Sequence, residues 1–277
     1  MSQVVVNTFA FLLGACIGSF LNVCISRWPA GMSVVKPPSR CPACERPIRA
    51  YENIPIFGWV ALRGKCAGCQ SAISPQYPLV ELLIAIVWLG AAYVFGPTLL
   101  ALRVAVFITL MIGIAITDAK HYVIPDGFTI FGLVWLIALS LIAVFTRSPS
   151  AFASPYDAMM GALVGAGAIA IAGWLGEAAL KREAMGFGDV TLMAVVGAAL
   201  GPQRALLTVF IGAALGVIVF LAVVLPVSRM RSPVTAEATE SASLPLVPFG
   251  VFLAPAAIIA LFYGDTLINW YLTRFIS

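Results

Sequence analysis

Seven apolar stretches, each long enough to cross a lipid bilayer as an α-helix, leave this 277-residue chain few ways to fold. They cover roughly residues 4–25, 78–95, 99–117, 128–145, 159–175, 206–227 and 247–263. A span needs about 20 residues at about 1.5 Å rise each, and backbone inside hydrocarbon must satisfy its own hydrogen bonds. None of the runs alternates polar with apolar as a membrane β-strand does. A mean hydropathy of +1.02, with 10% charged residues, agrees. The expected fold is an all-α polytopic membrane protein. An eighth run, residues 190–200, is marginal for a span. Residues 4–25 lack the basic start of a secretory signal and exceed its apolar length, so they are expected to persist as the first helix.

Orientation follows from lysine and arginine placement. Residues 26–77 form the longest polar stretch and carry Arg27, Lys36, Arg40, Arg46, Arg49, Arg63 and Lys65 against Glu45 and Glu52. This loop is assigned to the cytoplasm. Alternation then puts residues 119–126 and 177–189 inside, with Lys181 and Arg182 agreeing and Arg147 on the outside as an exception. A crossing by residues 190–200 keeps Arg229 and Arg231 inside, whereas a re-entrant turn puts them outside. The charges favour the crossing, about eight helices, and both termini outside. Residues 230–246 have no periodicity and read as a mobile loop. The expected organisation is a first helix at 1–25, a cytoplasmic metal-binding segment at 26–78, and a membrane domain at 79–277.

That cytoplasmic segment holds Cys41-Pro42-Ala43-Cys44 and Cys66-Ala67-Gly68-Cys69, two CxxC knuckles with 21 residues between them. Four thiolates at this spacing suit tetrahedral zinc. The cytoplasm disfavours disulfides, and a short polar segment has little core, so metal would supply folding free energy. The other reading is a pair of redox motifs or unligated thiols. Cys16 and Cys24, inside the first span, read as small apolar packing residues.

Two carboxylates stand at span boundaries. Asp118 ends one apolar run, before a turn dictated by Pro125. Asp189 follows Gly186-Phe187-Gly188 and opens another, where the glycines permit close approach or unusual backbone angles. Both fall on the cytoplasmic side of a topology derived from basic residues alone. Ionisable groups at such places are costly. Two adjacent carboxylates do not both ionise readily, so one can keep a proton and act as acid while the other acts as base. Taken singly, Asp118 is also readable as an interfacial cap or a partner of Lys120, and Asp189 as a cap of its helix. Asp126 reads mainly as an N-cap. His121 is the single histidine, which excludes a two-histidine metalloprotease helix; no role is assigned to it.

These segments resemble the type IV prepilin peptidases, bifunctional leader peptidases and N-methyltransferases of pilus and type II secretion systems. The similarity runs through Gly18-Ser19-Phe20-Leu21-Asn22-Val23 with Arg27 and Pro29, Arg40-Cys41-Pro42-Ala43-Cys44, and Asn53-Ile54-Pro55. It continues through Arg63-Gly64-Lys65-Cys66 and Tyr77-Pro78-Leu79-Val80-Glu81. Asp118 with Ile124-Pro125-Asp126, Gly186-Phe187-Gly188-Asp189 and Pro248-Phe249-Gly250 complete it. The resemblance implies a GxGD-type intramembrane aspartyl protease with Asp118 and Asp189 as its pair and Gly186 and Gly188 in support. It implies cleavage of prepilins or pseudopilins after a glycine at the cytoplasmic face of the bacterial inner membrane. The new N-terminal residue would then be methylated from S-adenosylmethionine. Gly64 and Lys65 fall on a Gly-Lys pair linked to methyl transfer, although Lys65 is equally readable as an exposed charge. Glu81 takes part on this reading or only favours its helix dipole. Val251 replaces a frequent proline, a departure expected not to touch the chemistry.

Two alternatives stay open: a peptidase without methylation, and a proton- or cation-coupled transporter using the aspartates. A non-catalytic assembly scaffold is a third. Nothing in the charge balance calls for nucleic acid, and the oligomeric state is unread. Glu45, Glu52 and Asp126 are candidate acids for a basic leader, with the anionic lipid surface as the other attraction.

Overall fold

The computed structural model describes residues 2–146, 152–181, 185–224, 226 and 248–275. The expected loop at 230–246, with Arg229, Arg231, Arg147 and Arg182, lies outside the described residues. The described chain is helical, with two isolated β-bridges and no strand. Its helices are α1 (Gln3–Arg27), α2 (Phe57–Ala61), α3 (Gln76–Phe95), α4 (Leu99–His121), α5 (Asp126–Thr146), α6 (Pro155–Leu180), α7 (Phe187–Leu200), α8 (Pro202–Val219) and α9 (Gly250–Phe275). Seven of these are long and apolar enough to cross a membrane. The 14 residues of α7 rise only about 21 Å, short of the roughly 30 Å of hydrocarbon.

The boundaries differ from the sequence reading where no breaker was present. Nothing stops α4 at Thr117, so it runs to His121 and Asp118 lies inside its last turn. Pro125 is the real stop, and Tyr122 adopts a left-handed φ of 56° in closing the helix. At the start of α6, Ser154 accepts the Asp157 N–H at 3.2 Å and Pro155 sits in the first turn, a standard helix entry. The last helix passes residue 263 and reaches Phe275, ending in exposed Trp270 and Tyr271, the side chains favoured at a membrane–water interface.

Two compact units divide the chain: residues 1–117 with 125–151, and residues 118–124 with 152–277. In the first, α1 and α3 pack antiparallel. Gly14 meets Ile84, Ala85 and Trp88, Gly18 meets Glu81 and Ile84, and Asn22 donates from Nδ2 to the Tyr77 carbonyl at 3.1 Å. A Cβ on Gly18 would stand 2.7 Å from the Glu81 Cα. The four-residue spacing of small side chains lets the two backbones touch, the usual device where lipid supplies no hydrophobic drive. Trp88 donates to Thr109 at 3.1 Å, and Trp28 meets Phe128 edge-on with centroids 4.5 Å apart. In the second unit, Gly161 and Gly197 face each other across α6 and α7, with no room for a Cβ on either. Leu192, Met193 and the whole stretch from Val195 to Leu200 are buried. A helix enclosed by protein in this way does not need a lipid-matched length.

Candidate active site and metal centre

Within the second unit, Asp118 and Asp189 are both buried, at 5% and 8% exposure. Asp118 comes from the last turn of α4, and Asp189 from the first turn of α7. Gly188, next to Asp189, and Gly250, against Asp118, both abut the side chain of Ile124. The N-cap of α7 is Gly186, so Asp189 is the third helical residue rather than the cap. Its own N–H donates to the Gly186 carbonyl at 3.1 Å.

Asp118 meets a third element. Its Oδ2 accepts the Val251 N–H at 3.2 Å, and the Gly250 N–H also faces the carboxylate. These are orphan donors at the N-terminus of α9, a natural seat for an anion. The expectation that Val251 leaves the chemistry untouched is therefore corrected: a proline here would have no N–H to give. A side chain on Gly250 would place its Cβ 2.8 Å from Asp118 Oδ2 and 3.0 Å from Ile124 Cδ1. A Cβ on Gly188 would stand 2.9 Å from Ile124 Cβ. Three separate sequence blocks thus converge on buried Ile124, and two glycines are explained by contact with it or with the carboxylate. Gly186 has an extended φ of −76°, so it needs no glycine-only conformation. Asp126 is the first residue of α5 rather than its N-cap, and His121 is exposed.

The cysteine segment belongs to the first unit. The four Sγ atoms of Cys41, Cys44, Cys66 and Cys69 lie within 4.8 Å of one another. Cys41–Cys69 is 3.8 Å and Cys44–Cys66 is 4.0 Å. A tetrahedron with metal–sulfur bonds of about 2.3 Å has edges of about 3.8 Å, so the donor set fits zinc. The two knuckles repeat each other. Cys41 N donates to Arg46 O at 3.0 Å as Cys66 N does to Ser71 O at 2.9 Å. Glu45 N donates to Cys41 O at 2.9 Å as Gln70 N does to Cys66 O at 3.0 Å. Glu45 and Gln70 share left-handed φ values of 56° and 59°, and bridges Arg40–Pro47 and Lys65–Ala72 close the turns. Backbone N–H groups of Cys44 and Ala43, then the Ser71 hydroxyl, hold the Cys41 thiol down to about 6, which favours the thiolate a metal binds.

The residues tied by resemblance to methyl transfer lie around this segment. Gly64 has a φ of 69°, and a Cβ on it would stand 2.9 Å from the Trp59 ring. Trp59 is fixed by donating from Nε1 to Ile73 O at 3.1 Å. Lys65 is exposed. Glu81 is 7% exposed and is the sixth residue of α3; its Oε2 accepts the Ile56 N–H at 2.7 Å. Its carboxylate is thus engaged by another segment and does not serve the helix dipole. Ile56 is a residue that sequence reasoning missed. It has φ 64° and ψ −54°, and Phe57 N reaches Pro55 O at 2.6 Å, forming a tight γ-turn of the strained hand. A β-branched residue there costs about 1–3 kcal/mol, and no sequence signal announces it. Glu52, a candidate for leader binding, is instead committed to Arg46 at 2.8 Å and to the Arg49 N–H at 3.0 Å. First the Arg49 N–H, then Arg46, hold its carboxyl below the ordinary glutamate range.

Comparison with known proteins puts the cysteine segment and the two aspartates in separate family domains. Residues 12–95 match the bacterial peptidase A24 N-terminal domain, and residues 105–221 match the type IV leader peptidase family. A protein of Stutzerimonas stutzeri is 34% identical over 290 residues, covering 95% of this chain and 92% of its own length. One of Pseudomonas aeruginosa is 35% identical, covering 94% and 91%. One of Myxococcus xanthus is 41% identical over 219 residues, covering 77% of this chain and 63% of its own length. Each is named a prepilin leader peptidase/N-methyltransferase. No solved structure matches. With its seven long apolar helices and four-cysteine cluster, the chain belongs to the type IV leader peptidase family, as a multi-pass membrane protein.

Proposed function

We propose that this protein cleaves the basic leader of type IV prepilins or pseudopilins after a glycine and then N-methylates the exposed residue. The observation that carries the first half is the burial of Asp118 and Asp189 at helix ends that meet around Ile124, with the Val251 N–H of α9 on Asp118. One carboxylate takes a proton from water as the water oxygen adds to the scissile carbonyl carbon. The other, protonated, gives its proton to the carbonyl oxygen. When the C–N bond breaks, a proton returns to the leaving amine and the leader departs as a carboxylate. The pair then titrates as a unit. Gly186 and Gly188 support Asp189, Gly188 by admitting Ile124.

Cys41, Cys44, Cys66 and Cys69 would hold a structural zinc ion, which cross-links the two knuckles. S-adenosylmethionine would supply the methyl group, and Gly64, Lys65 and Glu81 belong to that half of the chemistry. On this reading residues 26–78 are a metal-binding segment between the first helix and the membrane domain at 79–277. That segment and the carboxylate pair face the cytoplasm, α7 crosses as well and brings the total to eight, and both termini are periplasmic. The lipid bilayer is the other partner, and nucleic acid has no part. Family membership speaks against a transporter.

Purified full-length protein in lipid nanodiscs, given a prepilin peptide and S-adenosylmethionine, tests both halves by mass. Wild type is expected to yield the cut, methylated product. D118N and D189N are each expected to lower cleavage by about 10²–10⁴-fold. Full cleavage by either variant sinks the protease assignment, and a cut but unmethylated wild-type product sinks the methyltransferase.

A further inference from the structure

We infer that Glu81 is a positioning residue for methyl transfer, acting by holding the strained turn at Ile56 in place. The inference rests on the methyltransferase reading above and adds how one residue serves it. Three observations combine. The Ile56 turn is of the strained hand and built on a β-branched side chain, so it persists only if its surroundings hold it. The hold is a short bond, 2.7 Å, from the Ile56 N–H to a buried carboxylate on α3. Charge-assisted bonds of this kind are about twice as strong as neutral ones. Glu81 also lies where α1 and α3 touch, since a Cβ on Gly18 of α1 would stand 2.7 Å from the Glu81 Cα, so the anchor is set between both helices of the pair.

The turn lies between the metal knuckles and the residues that methyl transfer needs. Upstream, Arg46 joins Glu52 at 2.8 Å and lies against Gly68 of the second knuckle, where a Cβ would stand 3.1 Å from Arg46 Nε. Gly58 N donates to Ile54 O at 2.8 Å across the turn, and the missing side chain of Gly58 lets the Glu52 carbonyl come close. Downstream, the turn launches α2, and its Trp59 covers Gly64 next to Lys65. Release of Ile56 therefore re-aims α2 and shifts Trp59 from Gly64. A continuous series of contacts runs from sulfur ligands to membrane helices, and Glu81 is its attachment point. Helix propensity or dipole accounts explain neither the burial of Glu81 nor its contact 25 residues away in sequence.

Full-length variants, assayed for cleavage and for methylation of a pre-cut peptide, test this. Glu81→Leu removes the acceptor and is expected to lower the methylation kcat about 10- to 100-fold, the usual scale for a displaced group, with cleavage unchanged. Glu81→Gln keeps an oxygen for the Ile56 N–H and is expected to retain most of that activity. Adding Ile56→Gly to Glu81→Leu is expected to restore methylation substantially, because glycine adopts the turn without strain. Hydrogen exchange is expected to quicken at Ile56 and Phe57 in Glu81→Leu while α3 stays protected. No rescue by glycine, or slow exchange at the turn in Glu81→Leu, overturns the inference. If wild type cleaves but never methylates, the methyltransferase reading fails, and exchange at the turn still decides whether Glu81 holds it.

Discussion

The carboxylate pair and the cysteine knuckles build their sites in opposite ways. The knuckles are local: both turns close within six residues, and their donors come from one short segment. They repeat one backbone pattern at an offset of 25 residues, as Cys41 and Cys66 make the same turn bonds. The carboxylate site is assembled across the chain, with Asp118 accepting from Val251, 133 residues away. Its geometry depends on helix ends meeting where glycine leaves room. The local site can be held by a metal; the distant one is held by helix packing and the Val251 N–H. The knuckle site should therefore respond to chelation, and the carboxylate site to single methyl groups.

Substitutions that sharpen this contrast differ in size. The largest expected effect is Gly250→Ala. Its methyl group would stand 2.8 Å from Asp118 Oδ2, so either the carboxylate or α9 must move. Cleavage should fall about 100-fold, the scale of a displacement of about 1 Å, while methylation of a pre-cut peptide holds. Equal loss of both activities would break the comparison. Gly64→Ala comes next and acts on the other region. It must adopt a φ of 69° and meet the Trp59 ring at 2.9 Å, costing about 1–3 kcal/mol locally. Methylation and metal retention should weaken with cleavage preserved; unchanged methylation would remove Gly64 from that half. Val251→Pro is the gentlest. Proline is tolerated in the first turn of α9 and deletes one N–H from Asp118, leaving that of Gly250. Cleavage should fall by less than about tenfold, since a bond to a charged group is worth about 1.5–3 kcal/mol and a second donor remains. A larger loss would mean that Val251 carries the seat alone.

Much of this could be read before any coordinates. Hydropathy announced the helices because hydrocarbon permits little else, and the CxxC spacing announced the sulfur cluster. Asp118 and Asp189 stood out as costly residues at apolar boundaries. The misses have physical causes. The seat of Asp118 on α9 is a backbone contact, invisible in side-chain identity, and Val251 looked irrelevant for that reason. Nothing in isoleucine's preferences suggests a left-handed turn at Ile56; only the buried carboxylate of Glu81 makes it tolerable. Glu52 looked available for a basic leader until Arg46 was found beside it. The extra turns of α4 and α9 arose because charge lowers hydropathy without ending a helix.

The central claim is that the two regions carry separable chemistries. One experiment tests it directly: full-length wild type, D189N and chelator-stripped wild type are each given uncut and pre-cut prepilin peptides with S-adenosylmethionine, and products are weighed. D189N is expected to leave the uncut peptide intact while methylating the pre-cut one. The stripped protein is expected to cut the first and methylate neither. Loss of both reactions in D189N, or full methylation after the metal is gone, would contradict the account.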